Sequence, residues 1–268
     1  MSVPIVIVAV VLAIGWLGLQ VRPRSFSAYP QESQTPSRVP LPDGLPKPVA
    51  NYYRSAYGSS IPVVDSVVIT GRGKIRPFGV WLPARYRFTH DAGKGYRHYI
   101  EATWFGLPFL KVNERYLDGK SLMELPWASS EGPKIEQAAN LGMWAELSSA
   151  APSVLLTDPR VKWEPVDDET AILVVPLGES QTDRFVVRFN PENTRVELLE
   201  AMRYREANSE HKILWIASGV GEKTIGEAKS QAVGAATWLD QGQPWAYFET
   251  VDLRYNVEVG EYIRQRGL

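Results

Sequence analysis

The three histidines of the chain could supply metal ligands or acid–base groups, and their spacing limits what they can do. His90 and His98 flank the turn HDAGKG, with Asp91 beside it, so the two imidazoles can face each other across a hairpin. A zinc site needs three or four converging ligands. Two histidines and a turn aspartate on a solvent-facing hairpin are more typical of a polar surface. We therefore predict no metal and no cofactor.

Two carboxylates occupy positions where the sequence pattern predicts an apolar residue. Glu146 lies inside an apolar helical stretch, and Glu200 lies on the apparently apolar side of a strand. A carboxylate on a buried face is costly unless it is paired, so both are candidates for buried ion pairs. The pattern favours structural pairing over acid–base catalysis. The candidate partners are arginines: Arg97, Arg115, Arg203 and Arg205.

Motifs for nucleophilic or phosphoryl chemistry are missing from the sequence. Residues 219–226, GVGEKTIG, place two glycines at phosphate-loop spacing, but no Lys-Ser/Thr pair follows the second glycine, and the segment is predicted to be a plain loop. The sequence has no G-x-S-x-G elbow and no cysteine. These observations predict a non-catalytic protein, and a hydrolase that uses Glu146 or Glu200 is an alternative.

The composition excludes further classes of function. The net charge of −1 gives no reason to expect a nucleic-acid partner. A hydrophobic fraction of 44% is ordinary for a globular protein. Nine tryptophans and twelve tyrosines are many for 268 residues, and such rings either fill a core or line an apolar ligand pocket. Both interpretations stay open at this point.

The elements that would position these side chains are mostly strands. From residue 62 the apolar pattern has a period of two, and we count about ten strands joined by short turns, among them Asp118-Gly119. Short connections require antiparallel pairing. One short helix is predicted over residues 47–58, ending at Gly58. The fold is therefore mainly β (α+β), within a domain of residues 47–268.

A single helical insertion near residues 134–157 interrupts the strands. A short helix is not stable alone in water, so it must lie on the sheet as its cover. The groove between helix and sheet would be apolar, and its candidate ligand-binding residues are Trp104, Leu141, Trp144, Leu147, Leu155, Met202 and Tyr204.

The N-terminal region differs from the rest of the chain. Residues 3–21 carry no charge and would extend roughly 28 Å as a helix, close to the ~30 Å hydrocarbon core of a bilayer. We predict an uncleaved transmembrane anchor, with a cleaved signal peptide as the alternative. Residues 22–46 are proline-rich and predicted to form a semi-extended tether. Arg22 and Arg24 favour a cytoplasmic domain under the positive-inside rule, yet long domains translocate regardless of such charges.

The order of these elements resembles the LolA/LppX-type lipoprotein-carrier fold, a curved half-barrel of antiparallel strands whose open side is covered by helices. The resemblance is carried by RYLDGKSLMEL (residues 115–125) and RFVVRFNPENTRVELLEAMRYRE (residues 184–206). Further stretches, among them DGLP, VANYY, PSVLL and GQPWA, are similar to an uncharacterised bacterial family with an N-terminal membrane segment, over roughly residues 43–258.

The resemblance implies an extracytoplasmic domain held to a membrane by residues 3–21. Its function would be to bind a lipid or another hydrophobic ligand without catalysis. The alternative is a structural or assembly subunit of a membrane protein complex that has no ligand of its own.

Overall fold

A computed structural model describes residues 3–225 and 228–266, and these residues form one large antiparallel sheet with helices on it. The helices are α1 (Val3–Gln20), α2 (Lys47–Tyr57), α3 (Pro133–Ala150), α4 (Val154–Thr157) and α5 (Gly260–Arg264). The strands are β1 (Arg38–Pro40), β2 (Ser60–Pro62), β3 (Ser66–Ile75), β4 (Leu82–Asp91), β5 (Gly95–Trp104), β6 (Leu107–Leu117), β7 (Lys120–Leu125), β8 (Ala128–Glu131), β9 (Lys162–Pro165), β10 (Thr170–Leu177), β11 (Gln181–Phe189), β12 (Val196–Arg203), β13 (Ile213–Ile225), β14 (Ala228–Trp238) and β15 (Gln243–Tyr255).

The large sheet consists of two meanders that meet at its centre. Its 13 strands follow the order β8-β7-β6-β5-β4-β3-β15-β14-β13-β12-β11-β10-β9, while β1 and β2 pair separately. The chain therefore builds one half outward from β3 to β8, crosses to the opposite edge through α3 and α4, and returns inward from β9 to β15. The expectation of a mainly β, antiparallel, curved sheet is confirmed. The count of about ten was too low, because the short polar edge strands β8 and β9 carry little apolar signal.

The central pairing of β3 with β15 depends on two glycines. A Cβ atom on Gly73 would lie 1.9 Å from the carbonyl oxygen of Tyr247, and one on Gly71 would lie 2.2 Å from that of Glu249. Only a residue without a side chain permits such a close approach of two backbones. The register of the pair shifts by one residue between Thr250, which pairs with Gly71, and Asp252, which pairs with Thr70.

Helix α3 lies against both halves of the sheet. It contacts β6, β7 and β8 from the first meander and β10, β12 and β14 from the second. Leu141, Trp144 and Leu147 are fully buried, and the buried residues of α3 are distributed around its whole circumference. A helix that is buried on every side is a core element rather than an amphipathic surface helix.

The opposite face of the sheet holds a second, smaller apolar cluster. Tyr29 packs there with Val68, Val257 and Ile263, and its hydroxyl donates a hydrogen bond to the carbonyl of Glu258 at 2.8 Å. Residues 22–46, predicted to be a tether, are packed in part, because Tyr29 buries its ring in this cluster while Leu41 and Leu45 pack against the main core.

Helix α1 exposes most of its apolar side chains, and it touches the domain at the tip of the β5–β6 hairpin. There the Trp104 ring nitrogen donates a hydrogen bond to the carbonyl of Gly15 at 3.1 Å. Among the described residues, no helix meets the length and hydropathy needed to cross a membrane.

Two predictions from strand patterns are wrong in detail. The side of β12 that carries Glu200 and Met202 was predicted to be apolar, but Leu199 and Ala201 are the buried residues and Met202 is half exposed. Residues 219–225, predicted to be a loop, belong to β13. Gly226, the second glycine of the phosphate-loop spacing, lies outside the described residues.

Candidate functional site

Three side chains with metal-ligand chemistry converge where α3 crosses the first meander. In the register of β4 and β5, His90 pairs with Tyr96 and His98 pairs with Phe88. Directly paired residues share one face of a sheet, and these four lie on its inner face. Glu146 of α3 reaches down between the two histidines. Its Oε2 atom lies 3.0 Å from the Nε2 atom of His90 and 2.7 Å from the Nε2 atom of His98.

The prediction that His90 and His98 are surface residues is wrong. The His90 side chain has no exposed surface, and that of His98 is 7% exposed. The hairpin that carries them lies beneath α3, and the Trp144 ring packs close to Gly93 in its turn. Because both imidazoles are buried, solvent exposure of the hairpin does not disfavour a metal site at these histidines.

A second layer of polar side chains supports His98. The Nδ1 atom of His98 lies 3.5 Å from the Oε2 atom of Glu114 on β6. The hydroxyl of Tyr96 donates a hydrogen bond to the other oxygen of Glu114 at 2.8 Å, and the Tyr96 ring stacks on the His98 ring at 3.8 Å. The buried Arg203 guanidinium acts electrostatically on the same carboxylates. The orientation of His98 is therefore held from both sides.

The electrostatics of the cluster favour a charged His98 and a charged Glu146. Burial alone would lower the pKa of His98, but the carboxylates of Glu146 and Glu114 raise that pKa to about 9. Burial would likewise raise the pKa of Glu146, and the charge on His98 instead lowers it to about 2. Burial dominates for His90, whose pKa is lowered. In the metal-free protein, His98 and Glu146 form an ion pair next to a neutral His90.

The partners of the predicted ion-pair residues differ from those expected. Glu146 is buried against histidines rather than arginines. Glu200 pairs with Arg188 across two strands at 2.6 Å, on the outward side of β12. Arg115 is buried, and it donates a hydrogen bond to the carbonyl of Arg264 at 3.3 Å.

A large open cavity lies at the C-terminal end of α3, not beneath the helix. This groove has a volume of about 1020 Å³. Its walls are α2, the end of α3 with the link to α4, the β11–β12 turn, β15 and residues 33–38. The hydroxyl of Tyr53 donates to the carbonyl of Pro152 and that of Tyr255 to the carbonyl of Ala150, both at 2.7 Å, which fixes α2 and β15 to the end of α3.

The lining of the groove combines apolar and polar groups. Tyr52, Tyr57 and Leu253 offer apolar surface, and Ser149 and Asn193 offer hydrogen-bonding groups. Burial raises the pKa of Tyr57 to about 12, so its hydroxyl stays protonated over the physiological range. Further polar lining comes from the arginines Arg38, Arg195 and Arg254.

The structure places the seven predicted groove residues elsewhere. Leu141, Trp144, Leu147 and Leu155 are packed in the core. The small space that Leu155 borders has a volume of only about 10 Å³. Trp104 is 43% exposed beside α1, Met202 points outward, and the Tyr204 ring lies between the cations of Lys134 and Lys212. Sequence reasoning placed the cavity under the helix, whereas the sheet and helix pack tightly there.

Comparison with known proteins gives one family match. The family of unknown function DUF6544 has a model that matches residues 35–250. No curated protein matches the chain.

Three solved structures that match the chain are distant in sequence. A LolA superfamily protein from Nitrosomonas europaea is 11% identical with a TM-score of 0.45, over 95% of this chain and 97% of that one. A DUF1329 family protein from Desulfovibrio piger is 12% identical with a TM-score of 0.44, over 80% and 94%. An outer membrane lipoprotein-sorting protein domain from Vibrio parahaemolyticus is 11% identical with a TM-score of 0.43, over 80% and 94%. The match to the DUF6544 model over residues 35–250 agrees with the uncharacterised family expected over roughly residues 43–258.

Proposed function

The chain belongs to the DUF6544 family of unknown function, and we propose that it binds an amphipathic hydrophobic ligand of the lipid class in the groove at the end of α3. The observation that carries this proposal is the groove itself. Its volume of about 1020 Å³ is at the upper end of the range for ligand pockets, about 300–1,000 Å³.

The chemistry of the groove wall favours a ligand with an apolar body and a polar end. The tyrosine rings and Leu253 can contact an acyl chain, while serine, asparagine and arginine side chains can hold a head group. Arg38 and Arg254 already make contacts within the protein, to the Ser60 hydroxyl and to Asp252 respectively. They are therefore held in place before a ligand arrives, which lowers the entropy cost of binding.

Two substitutions on α2 test the proposal. Ala56 is an exposed residue that lines the groove, so Ala56→Trp fills part of it without disturbing the core. We expect this variant to weaken uptake of a fluorescent fatty acid roughly ten-fold or more, equivalent to about 1.4 kcal/mol. Asn51→Trp is the matched control, because Asn51 is exposed on the same helix and does not line the groove. Equal uptake by the two variants would refute the groove as the binding site.

A separate observation, the exposed apolar surface of α1, supports a proposal about membrane attachment. The apolar side chains of α1 are exposed together with Leu107 and Phe109 at the adjacent hairpin tip. Contiguous exposed apolar surface marks an interaction site, and we propose that it attaches the domain to a membrane on its extracytoplasmic side. Deletion of residues 1–21 should move the protein from the membrane pellet to the soluble fraction, and an unchanged distribution would contradict the attachment.

A structural or assembly role in a membrane complex is the second candidate. It is favoured by the filled space beneath α3, where Trp144 and Leu147 are fully buried. Crosslinking in intact membranes distinguishes the two functions. A stoichiometric protein partner, together with no fatty-acid uptake by the purified chain, would support the assembly role.

A further inference from the structure

The cluster of His90, His98 and Glu146 combines burial with donor atoms that lack partners. Their ligand atoms all lie within 4.8 Å of one another. Within the described part of the chain, Nε2 of each histidine and Oε2 of Glu146 have no hydrogen bond of acceptable angle, although they lie close together. Buried polar atoms without partners are rare in native proteins, and an unplaced ion is one standard reason for them.

The spacing of these atoms suits a first-row transition metal. Zinc binds imidazole nitrogen and carboxylate oxygen at about 2.0–2.2 Å, which in a tetrahedral site separates neighbouring ligand atoms by about 3.3 Å. The contacts from Glu146 to the two histidines are 3.0 and 2.7 Å. Widening these two contacts by about 0.3 and 0.6 Å would bring them to the tetrahedral separation.

The side chains that hold His98 are arranged as they are around metal-binding histidines. A histidine that binds a metal through Nε2 usually has its Nδ1–H held by a carboxylate. His98 has this arrangement, because its Nδ1 atom faces Glu114 and Glu114 is itself fixed by the Tyr96 hydroxyl. The three ligands also come from β4, β5 and α3, which are rigid elements packed on one another.

We propose that His90, His98 and Glu146 bind one zinc-class divalent cation through two imidazole nitrogens and one carboxylate oxygen. Two nitrogen ligands exclude Mg²⁺ and Ca²⁺, which prefer oxygen shells. Three protein ligands leave the fourth position of a tetrahedral site to water, as in catalytic zinc sites. The ion carries a charge of +2, the carboxylates of Glu114 and Glu146 carry −2 in total, and the Arg203 guanidinium carries +1. The occupied cluster therefore has a net charge of +1, which a bound hydroxide would neutralise.

The test uses the full-length chain in detergent, without a histidine tag, after removal of metals by a chelator. Zn²⁺ is titrated by calorimetry, Co²⁺ by visible absorbance, and bound metal is counted by mass spectrometry. We expect one Zn²⁺ per chain and the absorption bands of tetrahedral Co²⁺. Glu146→Gln and His98→Gln should each weaken Zn²⁺ binding on the order of 100-fold or more, and Glu114→Gln about 10–100-fold.

The third histidine supplies the control. His211 is exposed and distant in sequence from the cluster, so His211→Gln should bind Zn²⁺ as the unmodified chain does. A folded wild-type chain that takes up no Zn²⁺ or Co²⁺ would overturn the proposal and leave the cluster as a metal-free ion pair. Binding that is lost in the His211 variant but kept in the Glu146 variant would overturn it equally. The wild-type titration decides the matter even if a ligand variant fails to fold.

Discussion

Glu146→Gln in the metal-free protein measures the energy of the buried His98–Glu146 pair. Folding lowers the pKa of Glu146 from 4.5 to about 2 and raises that of His98 from 6.5 to about 9. Each of these changes in pKa corresponds to about 3 kcal/mol. Both changes arise in part from the Glu146–His98 contact, with further contributions from Glu114 and His90, so they are not added. We expect the variant, which keeps the shape of the side chain but not its charge, to lose about 3 kcal/mol of unfolding free energy near pH 6.

The pH dependence of this loss follows from the direction of the two shifts. The pKa of His98 is raised on folding, so its contribution is complete below pH 6.5 and disappears as the pH rises through about 9. The pKa of Glu146 is lowered, so its contribution is complete above pH 4.5 and disappears as the pH falls through about 2. The difference between wild type and variant should therefore be largest between these limits, at about pH 4.5–6.5.

Urea unfolding followed by tryptophan fluorescence, in the presence of a chelator, provides the assay. Glu200→Gln is the control, because Glu200 pairs with Arg188 whose side chain is 52% exposed. Such surface pairs contribute about 0–1 kcal/mol. Equal stability of wild type and the Glu146 variant at pH 6, or a difference that does not change between pH 6 and pH 10, would refute the ion-pair reasoning.

Two further predictions concern the core and the centre of the sheet. Trp144→Ala should cost about 3–5 kcal/mol, since it empties a fully buried ring position under α3, and a shift of the urea midpoint measures it. Gly73→Ala should cost about 1–3 kcal/mol or prevent folding, because its Cβ atom would overlap the Tyr247 carbonyl. Circular dichroism melting of Gly73→Ala is compared with Gly15→Ala, where a Cβ atom meets nothing within 4 Å. An unchanged midpoint for Trp144→Ala, or equal melting of the two glycine variants, would contradict these predictions.

Local signals predicted the local elements well. The pattern over residues 47–58 predicted α2 (Lys47–Tyr57), and Gly58 follows it at a φ of 75°. Asp118 and Gly119 form the predicted tight turn, with φ values of 51° and 76°. The errors arose where one strand offers two candidate faces. On β12 both faces carry apolar residues, so only the tertiary packing decides that Leu199 and not Leu198 is buried.

The candidate metal site was missed for a related reason. The alternation of side chains along each strand did carry a signal of burial, because His90 shares a strand face with Phe88, and His98 shares one with Tyr96. Two aromatic neighbours indicate an inward face, but the polar turn between the strands suggested solvent. The third ligand, Glu146, is separated from His98 by strands β6, β7 and β8 and joins it only when α3 crosses the sheet. Such a long-range meeting has no local sequence signal.

The topology explains why a ligand groove lies beside α3 rather than under it. The two meanders meet at β3 and β15, and their free edges, β8 and β9, are joined by α3 and α4. Helix α3 therefore lies across both halves and must be packed on every side, which fills the space beneath it with Trp144 and its neighbours. A groove is present where the helix ends, at Ala150, between α2, β15 and the β11–β12 turn. Glu146 lies one helical turn before that end, so α3 positions both the proposed metal ligand and the wall of the groove.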